Sequence, residues 1–470
     1  MQYKSLHEIQ QALMAGETNM VSLVNYYLSN IKSTISLNAY VEVYEDEALE
    51  KAALLDTKIK DHPALLGCLF GSVISVKDLI VHKDHDVSAS SNILKGFESQ
   101  FTASALDAIL QQDAIVIGRT NCDEFGMGSA NTNSCYGHVK NGLDHSRISG
   151  GSSGGAAVSV QMDTCLVALG TDTGGSVRQP AAMCGVYGYK PSYGLVSRYG
   201  LIAYASSFDQ LGILAKNPDD IDAFMQVASF VDGYDATMFR SGLYSNQEDT
   251  LPSDIKVAYF SETLSTSALD PEIRAAFLKK LNTLEKEGIE VSEISFDYLE
   301  YLVPCYYILT TAEASSNLSR YDGVRYGYRS PNATTLEQMY VMSRTEAFGH
   351  EVKKRIMLGS FVLSEAYFDA YYTKAQQVRQ LIKSKIEVLF ETYDYLLMPT
   401  SPAVAWPIDD RPADPLAGYM ADIYTVLANL TGVPAISVPL GNNQDNLPFG
   451  MQIFGKIKND RSLINFARKI

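Results

Sequence analysis

Between Ser149 and Gly194 the chain reads SGGSSGGAAVSVQMDTCLVALGTDTGGSVRQPAAMCGVYGYKPSYG, with two glycine-serine clusters on either side of one apolar run. The second cluster, Gly170 to Ser176, is expected to leave the strand and enter VRQPAAMCG. Its glycines permit turns that residues with a Cβ resist, so successive N–H groups can converge on one point. An oxyanion would be held there. Ser176, at the end of the turn, is then a candidate nucleophile whose own amide joins the donors.

A serine nucleophile needs a base, most often histidine. His7, His62, His82, His85, His138, His145 and His350 lie in no recognisable motif. Lys77 is the better candidate, because GSVISVKDL places it after an apolar run, where burial lowers a lysine pKa from about 10.4 and makes the neutral amine accessible. A Ser–Lys centre follows. The competing readings are ordinary turns for the glycine-serine clusters and a solvated strand-end lysine. A phosphate cradle is disfavoured, since Gly185 to Pro191 has the wrong spacing for a Walker loop and a proline after Lys190.

These groups need a scaffold. Ala114–Ile117, Leu166–Leu169 and Tyr395–Met398 are short apolar runs closed by Gly or Pro, as suits strands buried on both faces. Between them run amphipathic helices, the clearest starting at Asp270–Pro271 with Ile273, Phe277, Leu281 and Leu284 at helical spacing before Gly288. Ile289 to Ile294 alternates like a strand. Segment 304–390 has helical character and many tyrosines, consistent with core packing. The interleaving predicts an α/β fold with helices on both faces of a sheet. A polar, turn-rich excursion is expected near 232–254.

At 470 residues the chain exceeds the roughly 250–300 at which one core usually stops growing, so two domains or one large α/β layer are the options. Basic residues number 38 against 54 acidic ones, a net charge of −16, which lacks the footprint of a nucleic-acid binder. The six cysteines form no C-x-x-C pair and no zinc spacing, and read as reduced thiols; no metal site is expected. No secretory signal and no membrane-length apolar run is visible, so a cytoplasmic protein is expected.

The stretch from Gly150 to Tyr193, with Val76-Lys77-Asp78 upstream, closely resembles the signature of the amidase-signature family. That resemblance implies a Ser–cisSer–Lys triad: Ser176 in GGSVR as nucleophile, Ser152 in GGSSGG as the cis-bonded bridging serine, and Lys77 as base. It also implies one domain over 1–470, a large mixed β-sheet sandwiched between layers of α-helices. The N–H groups of Thr173, Gly174, Gly175 and Ser176 would form the oxyanion hole, and Asp172 and Arg178 would brace the turn as an ion pair.

Further segments, GRTNCDEFGMGSANTNSCYG (118–137), TAEASSNLSRYDGVRYGYRS (311–330), EVKKRIMLGSFVLSEAYFDAYY (351–372) and ANLTGVPAISVPLG (428–441), resemble the A subunits of bacterial aspartyl/glutamyl-tRNA amidotransferases. This implies a glutaminase that sends ammonia to the B subunit, with a small C subunit completing a heterotrimer. The B subunit would hold the mischarged tRNA and use ATP and Mg²⁺, leaving no cofactor on this chain. Glutamine needs a cation for its α-carboxylate and an anion for its α-ammonium. The resemblance supplies Arg355 and Asp422, with Tyr307 adding a hydrogen bond and Gly128 lining the pocket.

The chain departs from the family at HVKNGLDHSRISGG, where Ile148-Ser149 replaces the usual Val-Pro, and at Thr132, where glutamate is common. These changes adjoin the pocket rim and leave the triad intact. The alternatives are a free-standing amidase for another small amide and a catalytically silent scaffold. A generic amide needs no amino-acid clamp, so Arg355 and Asp422 favour the glutaminase.

Overall fold

The structure is a computed structural model that describes residues 3–241, 243–247, 250–409 and 421–470. Among these, eleven strands form one sheet: β1 (Tyr40–Val43), β2 (Val73–Lys77), β3 (Ile115–Thr120), β4 (Val167–Asp172), β5 (Tyr187–Lys190), β6 (Gln210–Ala215), β7 (Lys256–Phe260), β8 (Glu290–Ile294), β9 (Tyr395–Pro399), β10 (Ala435–Asn442) and β11 (Pro448–Gly455). Their order is β1-β3-β2-β4-β6-β5-β10-β11-β9-β7-β8. The β2–β3, β2–β4, β7–β8 and β7–β9 pairs are parallel and the others antiparallel, so the sheet is mixed.

The expected strands are all present. β3, β4 and β9 are buried along their whole length, as their continuous apolar runs require when helices cover both faces. The helix after Asp270 spans Pro271–Lys286, with the Asp270 side chain accepting the Glu272 N–H, and Gly288 follows in the left-handed region. One contiguous apolar cluster extends from Leu6 to Ala467. The 304–390 region is helical in large part, with Leu336–Ala347, His350–Val362 and Lys374–Thr392; the helix Leu299–Asn317 accommodates Pro304. Near 232–254, the described residues hold only a short 3₁₀ turn at Tyr244–Asn246. Among the described residues no helix is long and apolar enough to cross a membrane.

One boundary differs from expectation. β4 continues through Gly170 and Thr171 to Asp172, because its antiparallel register with β6 pairs Gly170 with Gly212 and Asp172 with Gln210. The turn therefore begins at Thr173. The parallel neighbours β2 and β4 end side by side, and a crevice beyond the carboxyl ends of parallel strands is where α/β sheets place their sites.

Candidate active site

Lys77 is the last residue of β2 and is fully buried. Its Nζ lies 2.7 Å from Ser152 Oγ, 2.9 Å from Ser153 Oγ and 2.9 Å from Thr171 Oγ1. Burial disfavours the ammonium and lowers its pKa to about 8, although Asp123, Asp172 and Asp209 pull the other way. No carboxylate among the described residues touches it directly, so three hydroxyls surround an amine that readily sheds its proton.

Ser152 follows a cis Gly151–Ser152 peptide and precedes the helix Gly154–Gln161. Its carbonyl accepts the Asp123 N–H, while the Ser153 N–H donates to the Ser176 carbonyl at 3.0 Å, joining the two serine loops. Gln179 locks them further: Gly151 N–H donates to its Oε1 and its Nε2 donates to Ser129 O, both at 2.9 Å.

The Thr173–Ser176 turn is shaped by Asp172 and Arg178. Both are fully buried and lie 3.0 Å apart, so the expected brace is an interior pair, not a surface one. Burial alone would raise the Asp172 pKa, but the Arg178 guanidinium overrides it and holds the carboxyl at about 2. The remaining Arg178 donors reach Thr425 O, Gln452 Oε1 and Asn429 Oδ1. Such full pairing is what a buried charge requires.

The donor set of the turn needs one correction. The Gly175 N–H donates to Asp172 Oδ1 at 2.8 Å and is spent on holding the turn. The N–H groups of Thr173, Gly174 and Ser176 have no partner among the described residues. Gly175 itself has φ +120°, and a Cβ there would lie 2.3 Å from Thr425 Oγ1, so the turn requires glycine on both counts.

Above the turn is a narrow cleft lined by Gly128, Ser176, Tyr306, Tyr307, Arg355 and Asp422 among others. No histidine among the described residues lines it. Arg355, on the helix His350–Val362, is buried between the rings of Tyr204 and Tyr307, with its guanidinium carbon 5.5 and 5.3 Å from their centroids. Its Nε donates to Glu351 and its Nη1 to Tyr204 Oη, both at 2.8 Å. Tyr307 Oη donates to Asp422 Oδ2 at 2.5 Å. Burial raises the Asp422 pKa to about 6, against the pull of Tyr307 and Arg355. Gly128 is packed against Asp123, whose Cγ would lie 2.4 Å from a Cβ at that position.

The cleft thus brings together the Ser176 hydroxyl, a cation and an anion. Every residue expected in the site lies in the cleft, in the turn beneath it or in the hydroxyl cluster behind it. Sequence reading misses Ser153, Thr171, Gln179, Tyr204, Tyr306 and Thr425. Ser153, Thr171 and Gln179 carry a signal, since all three lie inside the signature stretch; Tyr204, Tyr306 and Thr425 come from distant segments without a local motif. At the divergent rim, Ile148 packs with Met183 and Ala405 in a small apolar cluster, and its N–H donates to Trp406 O.

The family described as Amidase matches residues 22–464. The A subunit of the glutamyl-tRNA(Gln) amidotransferase of Chlorobium phaeobacteroides is 43% identical over 470 residues, covering 99% of this chain and 98% of that protein. Its counterpart in Chlorobaculum tepidum is 44% identical over 477 residues, covering 100% of this chain and 98% of that protein. Among solved structures, the A subunit of the glutamyl-tRNA(Gln) amidotransferase of Thermotoga maritima superposes with a TM-score of 0.80 at 36% identity, covering 98% of this chain and 93% of the other.

Proposed function

The chain belongs to the amidase family, and from that premise we propose that it is the glutamine-hydrolysing subunit of a tRNA-dependent amidotransferase. The observation that carries this reading is the meeting, in one cleft, of Ser176 with a buried cation, Arg355, and an anion, Asp422. An ordinary amide needs neither charge. Glutamine needs both, and a buried charge left unpaired is costly.

In this reading neutral Lys77 takes the proton of Ser152, Ser152 takes that of Ser176, and Ser176 Oγ attacks the γ-carboxamide carbon. The Thr173, Gly174 and Ser176 amides receive the oxyanion. When the tetrahedral adduct collapses, the C–N bond breaks and the relay returns a proton to the departing nitrogen, leaving ammonia and a γ-glutamyl ester on Ser176. Water then attacks the ester by the same relay and releases glutamate.

The ammonia passes to a partner. The B and C subunits would complete the complex, with B holding the mischarged tRNA and using ATP and Mg²⁺ to activate its carboxylate, all in the cytoplasm where tRNA is charged. The net charge of −16 supports leaving the tRNA to the partner. A protein partner is supported by the exposed Met357, Leu358, Phe361, Tyr367, Phe368 and Tyr371, on and just after the helix that carries Arg355.

The test is amidation of mischarged tRNA by the assembled complex carrying Ser176→Ala. Glutamine should fail as nitrogen donor and ammonium should succeed. Near-native glutaminase activity in the variant, or no rescue by ammonium in a properly assembled complex, would overturn the proposal.

A further inference from the structure

The two ends of the cleft are joined by a buried chain of hydrogen bonds. Arg355 Nη1 donates to Tyr204 Oη at 2.8 Å. Tyr204 stands on a turn whose first two N–H groups, those of Tyr204 and Ala205, donate to Asp209 Oδ2 at 2.9 and 3.0 Å. The other oxygen, Asp209 Oδ1, accepts the Thr173 hydroxyl at 2.6 Å. Tyr204, Asp209 and Thr173 are all buried.

The arrangement is built into the sheet. Asp209 immediately precedes β6 and Thr173 immediately follows β4, and the pairing of Asp172 with Gln210 brings the two face to face. One carboxylate therefore fixes both the turn that supports Arg355 and the first residue of the oxyanion loop. Glu313, on the helix Leu299–Asn317, acts electrostatically on Asp209 and accepts the N–H of Ser207 beside it, and Lys77 and Arg198 also feel the Asp209 carboxylate.

We propose that Tyr204, Asp209 and Thr173 act as positioning residues that couple seating of the substrate α-carboxylate on Arg355 to the setting of the oxyanion loop, so that recognition of the amino acid raises kcat as well as affinity. The inference rests on the glutaminase reading. Physically, it is the use of remote binding energy at the reacting centre, here through a wired contact and not through the substrate alone. Tyr204 and Asp209 do not themselves touch the reacting atoms.

The experiment is a double-mutant cycle for glutamine hydrolysis by the full chain assembled with its partner subunits: native, Asp209→Asn, Arg355→Lys and the double variant. Asparagine preserves shape and can accept both N–H groups, but its amide NH₂ reverses the bond to Thr173. Asp209→Asn should lower kcat about tenfold while KM stays within about twofold, and Arg355→Lys should lower kcat by a similar factor and raise KM. If the sites are coupled, the double variant falls no more than about twofold below the weaker single variant in kcat; multiplication to about a hundredfold would overturn the coupling. Thr173→Ser, which keeps the hydroxyl, should lose clearly less kcat than Thr173→Val, which should repeat the Asp209→Asn loss; equal losses in both would overturn the role of the hydroxyl. Should Asp209→Asn not fold, Tyr204→Phe replaces it in the cycle with the same criterion. A native complex that hydrolyses no glutamine overturns this inference and the functional reading together, whereas native turnover with multiplicative losses overturns the coupling alone.

Discussion

Lys77→Met is the sharpest perturbation of the proposed chemistry, because it removes the amine and keeps the length of the side chain. In the native protein, burial lowers the Lys77 pKa from 10.5 to about 8. If the neutral amine is the base, kcat/KM rises with pH with unit slope up to about 8, and at pH 7 it stands at about a tenth of its plateau. Lys77→Met should lose several orders of magnitude of glutaminase activity, and Lys77→Arg should fare no better, since guanidinium does not deprotonate in this range. The same shift has a consequence for stability. Between the folded pKa and the unfolded one, the unfolded chain binds the extra proton, so the Lys77 contribution is present above 10.5 and is lost as pH falls through about 8. At about 1.4 kcal/mol for each tenfold in proton affinity, the native chain should gain about 3 kcal/mol on Lys77→Met across that window. With an unfolding entropy of about 2 cal/mol/K per residue, that corresponds to only about 3 °C in Tm for a chain this long. The assay is thermal denaturation of both proteins from pH 7 to 10.5, beside a pH profile of kcat/KM. A flat profile through pH 8, or a constant Tm difference between the two proteins, would refute the neutral-lysine argument.

The clamp gives a second pH signature: with Asp422 at about 6, KM for glutamine should rise as pH falls below that value, and Asp422→Asn should show a KM already raised about 10- to 100-fold and independent of pH. Arg178→Met should cost about 3–5 kcal/mol, measured by urea denaturation, because it strands the buried Asp172 carboxylate without its counter-charge. Gly128→Ala should cut kcat/KM at least about tenfold, since its Cβ would displace the Asp123 carboxylate from the Asn131 and Asn133 N–H groups; normal kinetics in that variant would show that the loop yields freely.

Much of the site is legible in the sequence because it is local. Ser152, Ser176 and Lys77 sit at strand ends and tight turns whose glycines and apolar flanks are consecutive in the chain. The buried strands are legible for the same reason, as runs too apolar for a half-exposed sheet. Other contacts follow from register and cannot be read along the chain: Asp209 meets Thr173 only because β6 lies antiparallel to β4, and Gln179 reaches Ser129 only after the helix Arg178–Cys184 is docked. The Gly175 amide is easily taken for an oxyanion donor because the motif shows a row of N–H groups without showing that the Asp172 side chain folds back to take one of them.

That fold-back exemplifies a wider feature of the site. In a cleft that no histidine among the described residues lines, the nearby buried carboxylates would be natural suspects for acid–base work, and burial does push Asp209 and Glu124 up to about 7. Their geometry says otherwise. Asp123 accepts the Asn131 and Asn133 N–H groups, Asp172 those of Gly175 and Val177, and Asp209 those of Tyr204 and Ala205. Glu124 accepts that of Gly349, at the start of the helix bearing Arg355. Each carboxylate holds a different irregular segment by its backbone, which meets the rule that buried main-chain donors must be paired. A site assembled from loops needs such anchors to hold its hydroxyls to within a fraction of an ångström. In the proposed mechanism the carboxylates therefore serve as fixtures, and proton transfer falls to Lys77, a buried amine that contacts only hydroxyl and carbonyl oxygens and touches Ser152 directly.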